Sequence, residues 1–245
     1  MLSRDELIRY SRQIMLPSFG EEGQQKLKAA HVVVAGVGGL GSLSSMLLVA
    51  AGVGHLTLID ADRVELSNLN RQILHWEEDI GVEKVLSAAR KLRKLNSTVE
   101  VMPRAEEITK ENVASLVEGA DLVMDAMDNM ATRFILNEAC VKMGIPFIHG
   151  GIHGLLGQIT TIIPRRGPCL RCIFPQEVEG KKPFPVLGAT PAMVASLQVM
   201  EAIKVLVGMG ELLVGRMLLI NGEVMEIATI EVKRNPQCPV CGDEG

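Results

Sequence analysis

His31-Val32-Val33-Val34-Ala35-Gly36-Val37-Gly38-Gly39-Leu40-Gly41, with Asp60 nineteen positions further on, is the stretch that decides the fold. His31 to Ala35 is a short β-branched run, the signature of a buried strand. Gly36, Gly38, Gly39 and Gly41 fit G-x-G-x-x-G. Glycines at these positions let the backbone turn sharply and approach a phosphate. Ser42 to Ala51 is rich in small residues and reads as the helix whose N-terminus this turn opens. Its free N–H groups and dipole suit an anion. His55 to Asp60 is a second strand ending in an acid, placed to accept hydrogen bonds from ribose hydroxyls. Together these are one βαβ unit with a right-handed crossover. They indicate a nucleotide without saying which, and NAD is the obvious rival.

The alternation continues outward. Lys84–Leu95 is predicted as an amphipathic helix, Val99–Pro103 as a strand, Thr109–Val117 as a helix and Asp121–Asp125 as a strand. Thr132–Met143 is a further helix, with strands at Pro146–Ile148 and Gln158–Ile163. Residues 3–28 read as amphipathic helix, with Leu7, Ile8, Ile14 and Leu16 among charges and Pro17 as an interruption. The last third is less regular until a helix from Pro191 to Val207, with Thr190 as its expected N-cap. Strands alternating with helices predict a doubly wound sheet.

Composition narrows the function. The chain of 245 residues is 47% hydrophobic and 22% charged, an ordinary globular balance with ample core. A net charge of −4 argues against nucleic-acid binding. The charged start, Met1 to Glu6, is no signal peptide. Val32–Gly54 carries no charge but breaks into strand, turn and helix. The Pro191–Val207 run contains Gln198, Glu201 and Lys204, so neither stretch is read as a membrane span. A cytoplasmic protein is expected. Of five cysteines, four form two C-x-x-C pairs, Cys169/Cys172 and Cys238/Cys241. Two such knuckles complete a closed tetrahedral site, so structural zinc is expected. A redox pair or four free thiols are the other readings. Cys140, in an apolar helix, is expected to be a core thiol.

Asp60-Ala61-Asp62-Arg63-Val64-Glu65-Leu66-Ser67-Asn68-Leu69-Asn70-Arg71-Gln72 resembles the signature of the ThiF/MoeB/HesA family, relatives of the ubiquitin-activating enzymes. Arg9-Tyr10-Ser11-Arg12-Gln13-Ile14, Asp125-Ala126-Met127-Asp128-Asn129, Gly157-Gln158-Ile159-Thr160, the run Leu197 to Lys204 and the closing Cys-Pro-Val-Cys-Gly also match. Their order and spacing cover essentially the whole chain. The resemblance implies an α/β fold of Rossmann-like type. Its doubly wound, mostly parallel sheet would carry an added antiparallel C-terminal portion and a zinc knuckle. It implies one adenylation domain over 1–245. Residues 1–30 would be a helical lead-in, 31–165 the nucleotide-binding core, and 166–245 the zinc-bearing and carrier-binding portion.

The implied activity is ATP-dependent adenylylation of the C-terminal glycine of a ubiquitin-like sulfur-carrier protein, ThiS- or MoaD-like and ending in Gly-Gly. Negative charge on the reacting phosphates calls for fixed cations and magnesium. By resemblance, Arg71 contacts the phosphates, Lys84 holds the triphosphate, Asp128 coordinates magnesium and Asp60 binds ribose. Asn68 and Gln72 line the ATP pocket, and Asp62 is counted with them among the nucleotide-binding residues. Arg12 reaches the phosphates from the other subunit of a homodimer. The residues alone also allow Arg71 and Lys84 as surface cations, Asp62 as a loop-shaping residue, and Asp128-Asn129 as a helix cap.

One departure stands out. Many family members carry a further cysteine before the Pro191 helix. Val178 to Pro185 has none here, so a covalent step through that loop is not expected. Lys181 and Lys182 in that loop offer charge for an acidic carrier, or a solvated surface. The rival readings are an NAD-dependent oxidoreductase, with His149 or His153 as its only acid/base nominees, and a non-catalytic relative. The pathway, thiamine or molybdopterin or another, is not written in the residues.

Overall fold

The computed structural model describes residues 1–176 and 184–242. Lys181, Lys182 and most of the loop where the resemblance places a further cysteine lie outside them.

The chain opens with three short helices, α1 (Arg4–Arg9), α2 (Ser11–Ile14) and α3 (Gly20–Ala29). The helical reading of 3–28 with an interruption at Pro17 holds: the chain leaves helix between Ile14 and Gly20, where Gly20 takes a left-handed φ of +58°, and a second break falls at Tyr10. Ser3 and Glu6 form a capping box on α1. Ile8, Met15 and Leu16 face outward, at 66%, 70% and 51% exposure.

The alternating core follows: β1 (His31–Ala35), α4 (Gly39–Ala51), β2 (His55–Ile59), α5 (Lys84–Leu95), β3 (Glu100–Arg104), α6 (Val113–Val117), β4 (Leu122–Asp125) and α7 (Met130–Met143). Then come β5 (Phe147–His153), β6 (Leu156–Ile162), α8 (Leu170–Ile173), α9 (Ala189–Val207), β7 (Arg216–Asn221) and β8 (Glu226–Glu231). All eight strands make one sheet in the order β3-β2-β1-β4-β5-β6-β7-β8. It is parallel from β3 to β5 and antiparallel from β5 to β8.

Both faces are covered, which explains the uninterrupted apolar run in β1. Val32 and Val34 point to the layer containing α4, α5 and α9. Val33 and Ala35 point to the layer of α6, α7 and α8. Period-two alternation thus feeds two cores from one strand. Each fully buried Val or Leu contributes roughly 1.5–3 kcal/mol over leaving it exposed.

α9 is long and apolar enough, by length and composition, to cross a membrane. Here it packs on α4, β5 and β6, with Gln198 and Glu201 buried and hydrogen-bonded. It is a core helix. Thr190 is not its cap: the helix begins one residue earlier, and the Thr190 hydroxyl donates to the Gly154 carbonyl at 3.0 Å.

Candidate active site

β1 pairs with β2 on one side and β4 on the other: the chain leaves β1 toward β2 and β3, then crosses back from β3 to β4, so the strand order reverses beside β1. Such a switch point opens a crevice. A cleft of about 670 Å³ lies there, within the usual range for a small-molecule site.

The glycine turn forms its floor, and the four glycines divide the work. Gly36, Gly38 and Gly39 line the cleft, and α4 begins at Gly39 with its first N–H groups free of any side-chain cap. Gly36 has φ +93°, and a Cβ there would lie 2.6 Å from the Ala126 carbonyl oxygen. A Cβ on Gly41 would lie 1.9 Å from the Gly36 oxygen. Gly41 therefore serves the tight packing of turn on helix and is not among the lining residues.

Asp60 follows β2. Its Oδ2 accepts the Val37 N–H at 2.7 Å and its Oδ1 accepts the Asp62 N–H at 2.8 Å. Burial raises the Asp60 carboxyl above its ordinary value, and the nearby Lys84 charge and the two N–H groups only partly offset this. Lys84, the first residue of α5, is buried, and its Nζ donates to Asp62 Oδ2 at 2.8 Å. The Asp62 carboxylate is 72% exposed, so the pair is screened and contributes about 1 kcal/mol or less. Arg71 also lines the cleft, steadied by a 2.9 Å bond to the Ser67 carbonyl. Gln72 is buried beside Gly38, and its Oε1 has no hydrogen-bond partner among the described residues.

Asp128 stands on the opposite wall, exposed, in the turn between β4 and α7. Asn129 caps α7, accepting the Thr132 N–H at 2.8 Å. The capping reading of Asp128-Asn129 thus holds for Asn129, and it leaves Asp128 facing the cleft. Asn68 is not a lining residue: its Oδ1 accepts the Glu65 N–H at 3.1 Å and shapes the short 3-10 turn Leu66–Asn68. Arg12 lies exposed on α2 and does not line the cleft of its own chain.

Glu106, Glu107, Thr132, Arg133 and Phe184 also line the walls and carry no binding signal in the sequence, and His153, the acid/base nominee of the oxidoreductase reading, lines them too. Arg133 was legible in principle, lying four residues after the Asn129 cap and hence near the same end of α7. Its guanidinium bonds the Met127 and Gly150 carbonyls and lies 3.3 Å from Asp125. Phe184 lies a few residues before α9, where no periodicity in the sequence marks it. His153 stacks on it at 6.0 Å. His149 is fully buried on β5, bonded to Asp125 at 2.6 Å, and burial pushes it below its ordinary value. It does not reach the cleft.

The four paired cysteines converge, away from the cleft, where α8 meets the C-terminal knuckle. Their Sγ atoms all lie within 4.8 Å of one another, with Cys169–Cys238 at 3.6 Å and Cys172–Cys241 at 3.4 Å. Tetrahedral zinc with bonds near 2.3 Å sets its sulfurs roughly 3.8 Å apart, so the set fits that ion. Cys140 is buried in the core, where burial pushes its thiol well up.

An α/β protein of Rossmann-like type, with a nucleotide-sized cleft at the switch point and a four-thiol knuckle, is the class that fold and site define. The chain belongs to the ThiF family, whose model matches residues 10–240. It is 45% identical over 249 residues to the SAMP-activating enzyme E1 of Haloferax volcanii, covering 100% of this chain and 92% of that one. It is 44% identical over 252 residues to the sulfur carrier protein adenylyltransferase of Thermus thermophilus, covering 99% and 93%. Among solved structures it is similar to E. coli MccB with ATP, at TM-score 0.84 and 28% identity, over 96% of this chain and 74% of that one.

Proposed function

We propose that this protein uses ATP to adenylylate the C-terminal glycine of a ubiquitin-like sulfur carrier, releasing pyrophosphate. The observation that carries the reading is the convergence of Asp60, Arg71, Gln72, Lys84 and Asp128 on one cleft floored by Gly38 and Gly39. The names of the two relatives support the carrier as acceptor, and the ATP of the MccB structure supports the nucleotide.

In the reaction a carboxylate oxygen of the carrier bonds to the α-phosphorus. The bond from that phosphorus to the bridging oxygen breaks, and pyrophosphate leaves with the electron pair. Asp60 accepts the ribose hydroxyls, which needs its ionised form. The N–H groups opening α4 and the Arg71 guanidinium face the phosphates, where charge develops. Among the described residues the Lys84 ammonium is hydrogen-bonded to Asp62, whose carboxylate is exposed, so a polyanionic triphosphate competes for it effectively. Gln72 gains a partner for its orphaned oxygen. Asp128, an exposed carboxylate on the cleft wall, suits a hard cation and would hold magnesium, which supplies charge neutralisation when bound. The thiol cluster would hold structural zinc.

A homodimer in which Arg12 serves the neighbouring cleft fits the exposed Ile8, Met15 and Leu16 around it, which a second copy would cover. A cytoplasmic setting fits reduced thiols. Hydride transfer finds less support, because the buried His149 is closed off and His153 is the only histidine among the residues lining the cleft.

The test is ATP–pyrophosphate exchange with a purified carrier ending in Gly-Gly. Wild type should catalyse it, and Asp128→Ala should lose about 100-fold or more. Tight NAD binding with no exchange would overturn the proposal.

A further inference from the structure

His75 lies outside the cleft, yet it bonds directly to the glycine turn. It sits between the turns that follow Asp60 and α5, and it is 3% exposed. Its Nε2 lies 3.1 Å from the Val37 carbonyl oxygen and its Nδ1 lies 2.9 Å from the Ser87 hydroxyl. A carbonyl can only accept, so Nε2 carries the proton. A neutral ring then accepts at Nδ1, and the Ser87 hydroxyl donates to it. Burial holds His75 below its ordinary value, consistent with the neutral ring.

The chain of bonds runs further. Lys91 Nζ donates to Ser87 Oγ at 3.0 Å, to the Leu74 carbonyl at 2.8 Å and to the buried carboxylate of Asp79. Lys91 and Ser87 are on α5, and Asp79 ends the 3-10 turn Glu77–Asp79. At the other end, the two peptide planes that flank Val37 are each held. The N–H of the Gly36–Val37 peptide goes to Asp60, and the C=O of the Val37–Gly38 peptide accepts from His75 and from Ser42 Oγ at 3.2 Å. Holding both planes restrains the φ and ψ of Val37, and the second plane carries the Gly38 N–H that leads into α4.

We propose that His75 is a positioning residue for the nucleotide: through the Val37 carbonyl it orients the amides of the glycine turn and the carboxylate of Asp60 together. This rests on the nucleotide half of the reading above and not on the identity of the carrier. The buried relay from Asp79 through Lys91 and Ser87 fixes the tautomer that makes the bond possible.

The experiment measures ATP binding by calorimetry without carrier, then KM for ATP and for carrier in the exchange assay. His75→Phe keeps the ring and removes the donor. It should weaken ATP binding by about tenfold, the usual effect of losing one buried hydrogen bond, with the KM for carrier unchanged. His75→Gln keeps an N–H donor at a similar reach and should recover most of the loss. Ser87→Ala should give a smaller shift the same way, and it serves if His75→Phe does not fold. Imidazole nitrogen shifts of wild type should show the Nε2–H tautomer. ATP affinity within twofold of wild type in folded His75→Phe would overturn the proposal. So would equal losses in the Phe and Gln variants, or the Nδ1–H tautomer. Wild type that binds no ATP sinks both proposals. Wild type that binds ATP but exchanges with no carrier sinks only the carrier.

Discussion

Asp60 sits in the cleft as a half-buried carboxyl with two backbone donors and a lysine nearby, and desolvation still outweighs them. Because its folded pKa is raised, protonation favours the empty fold. That stabilisation is full below the unfolded value and lost as pH rises through the folded one. Ribose hydroxyls need the ionised form, so ATP affinity should climb with pH through this raised pKa. Calorimetry across the acid range checks it, and Asp60→Asn should flatten the climb. The two buried histidines act with the opposite sign. His75 and His149 are both held below their ordinary value by burial. Their contribution is complete above the unfolded pKa and is lost as pH falls through the folded one. Each adds up to about 1.4 kcal/mol per pH unit to acid destabilisation. Denaturant midpoints against pH should show this slope, and His149→Gln should reduce it. At this scale the sequence was readable where chemistry is local. Asp60, Arg71, Gln72 and Asp128 come from turns and Lys84 from the start of α5, all within or just after the quoted motifs, and all five line one cleft. Arg133 and His75 were harder, because their partners, Gly150 and Val37, are brought in by tertiary packing.

Elements show the same division. The helix expected over Lys84–Leu95 is observed with those limits, since its apolar face is continuous and Asn96 ends it with extended backbone. β5 runs five residues beyond its expected end, to His153. The pair Gly150-Gly151 hides the strand, and the reason is lateral. A Cβ on Gly150 would meet the Gln198 side chain at 2.4 Å, and one on Gly151 would meet Gln158 at 2.8 Å. Parallel pairing with β4 stops at Ile148, while antiparallel pairing with β6 carries the ladder on to His153. β7 and β8 escaped notice individually because β8 is exposed at every position and has no inward alternation to read. Within the glycine turn, two substitutions should separate binding from packing. Gly41→Ala drives a Cβ into the Gly36 oxygen and should cost about 1–3 kcal/mol, several degrees of Tm. Gly38→Ala meets nothing nearer than the Gln72 amide at 3.6 Å, so Tm should hold while ATP affinity falls. Thermal melts with and without ATP distinguish the two.

For the whole molecule, the cysteine spacing announced a long-range clamp, and the four sulfurs do converge. The clamp joins α8 to the C-terminal knuckle and so closes a loop containing α9, β7 and β8. Metal analysis should find one zinc per chain. Chelation or Cys238→Ser should lower Tm by on the order of 10 °C through loss of this closure, with ATP affinity nearly unchanged.

α9 adds a constraint of a different kind. It packs on α4, and Pro191 at its start stands 3.3 Å from where a Cβ on Gly39 would be. A Cβ on Gly188, just before it, would lie 2.5 Å from the Asn70 carbonyl oxygen and 3.4 Å from the Arg71 Cα. The glycine turn is therefore finished by residues about 150 positions downstream. On the ribosome, the first βαβ unit emerges long before the surface it needs. Until residues 189–207 follow, α4 holds an apolar face open to solvent, so a chain of this design spends much of its synthesis waiting for its own last third.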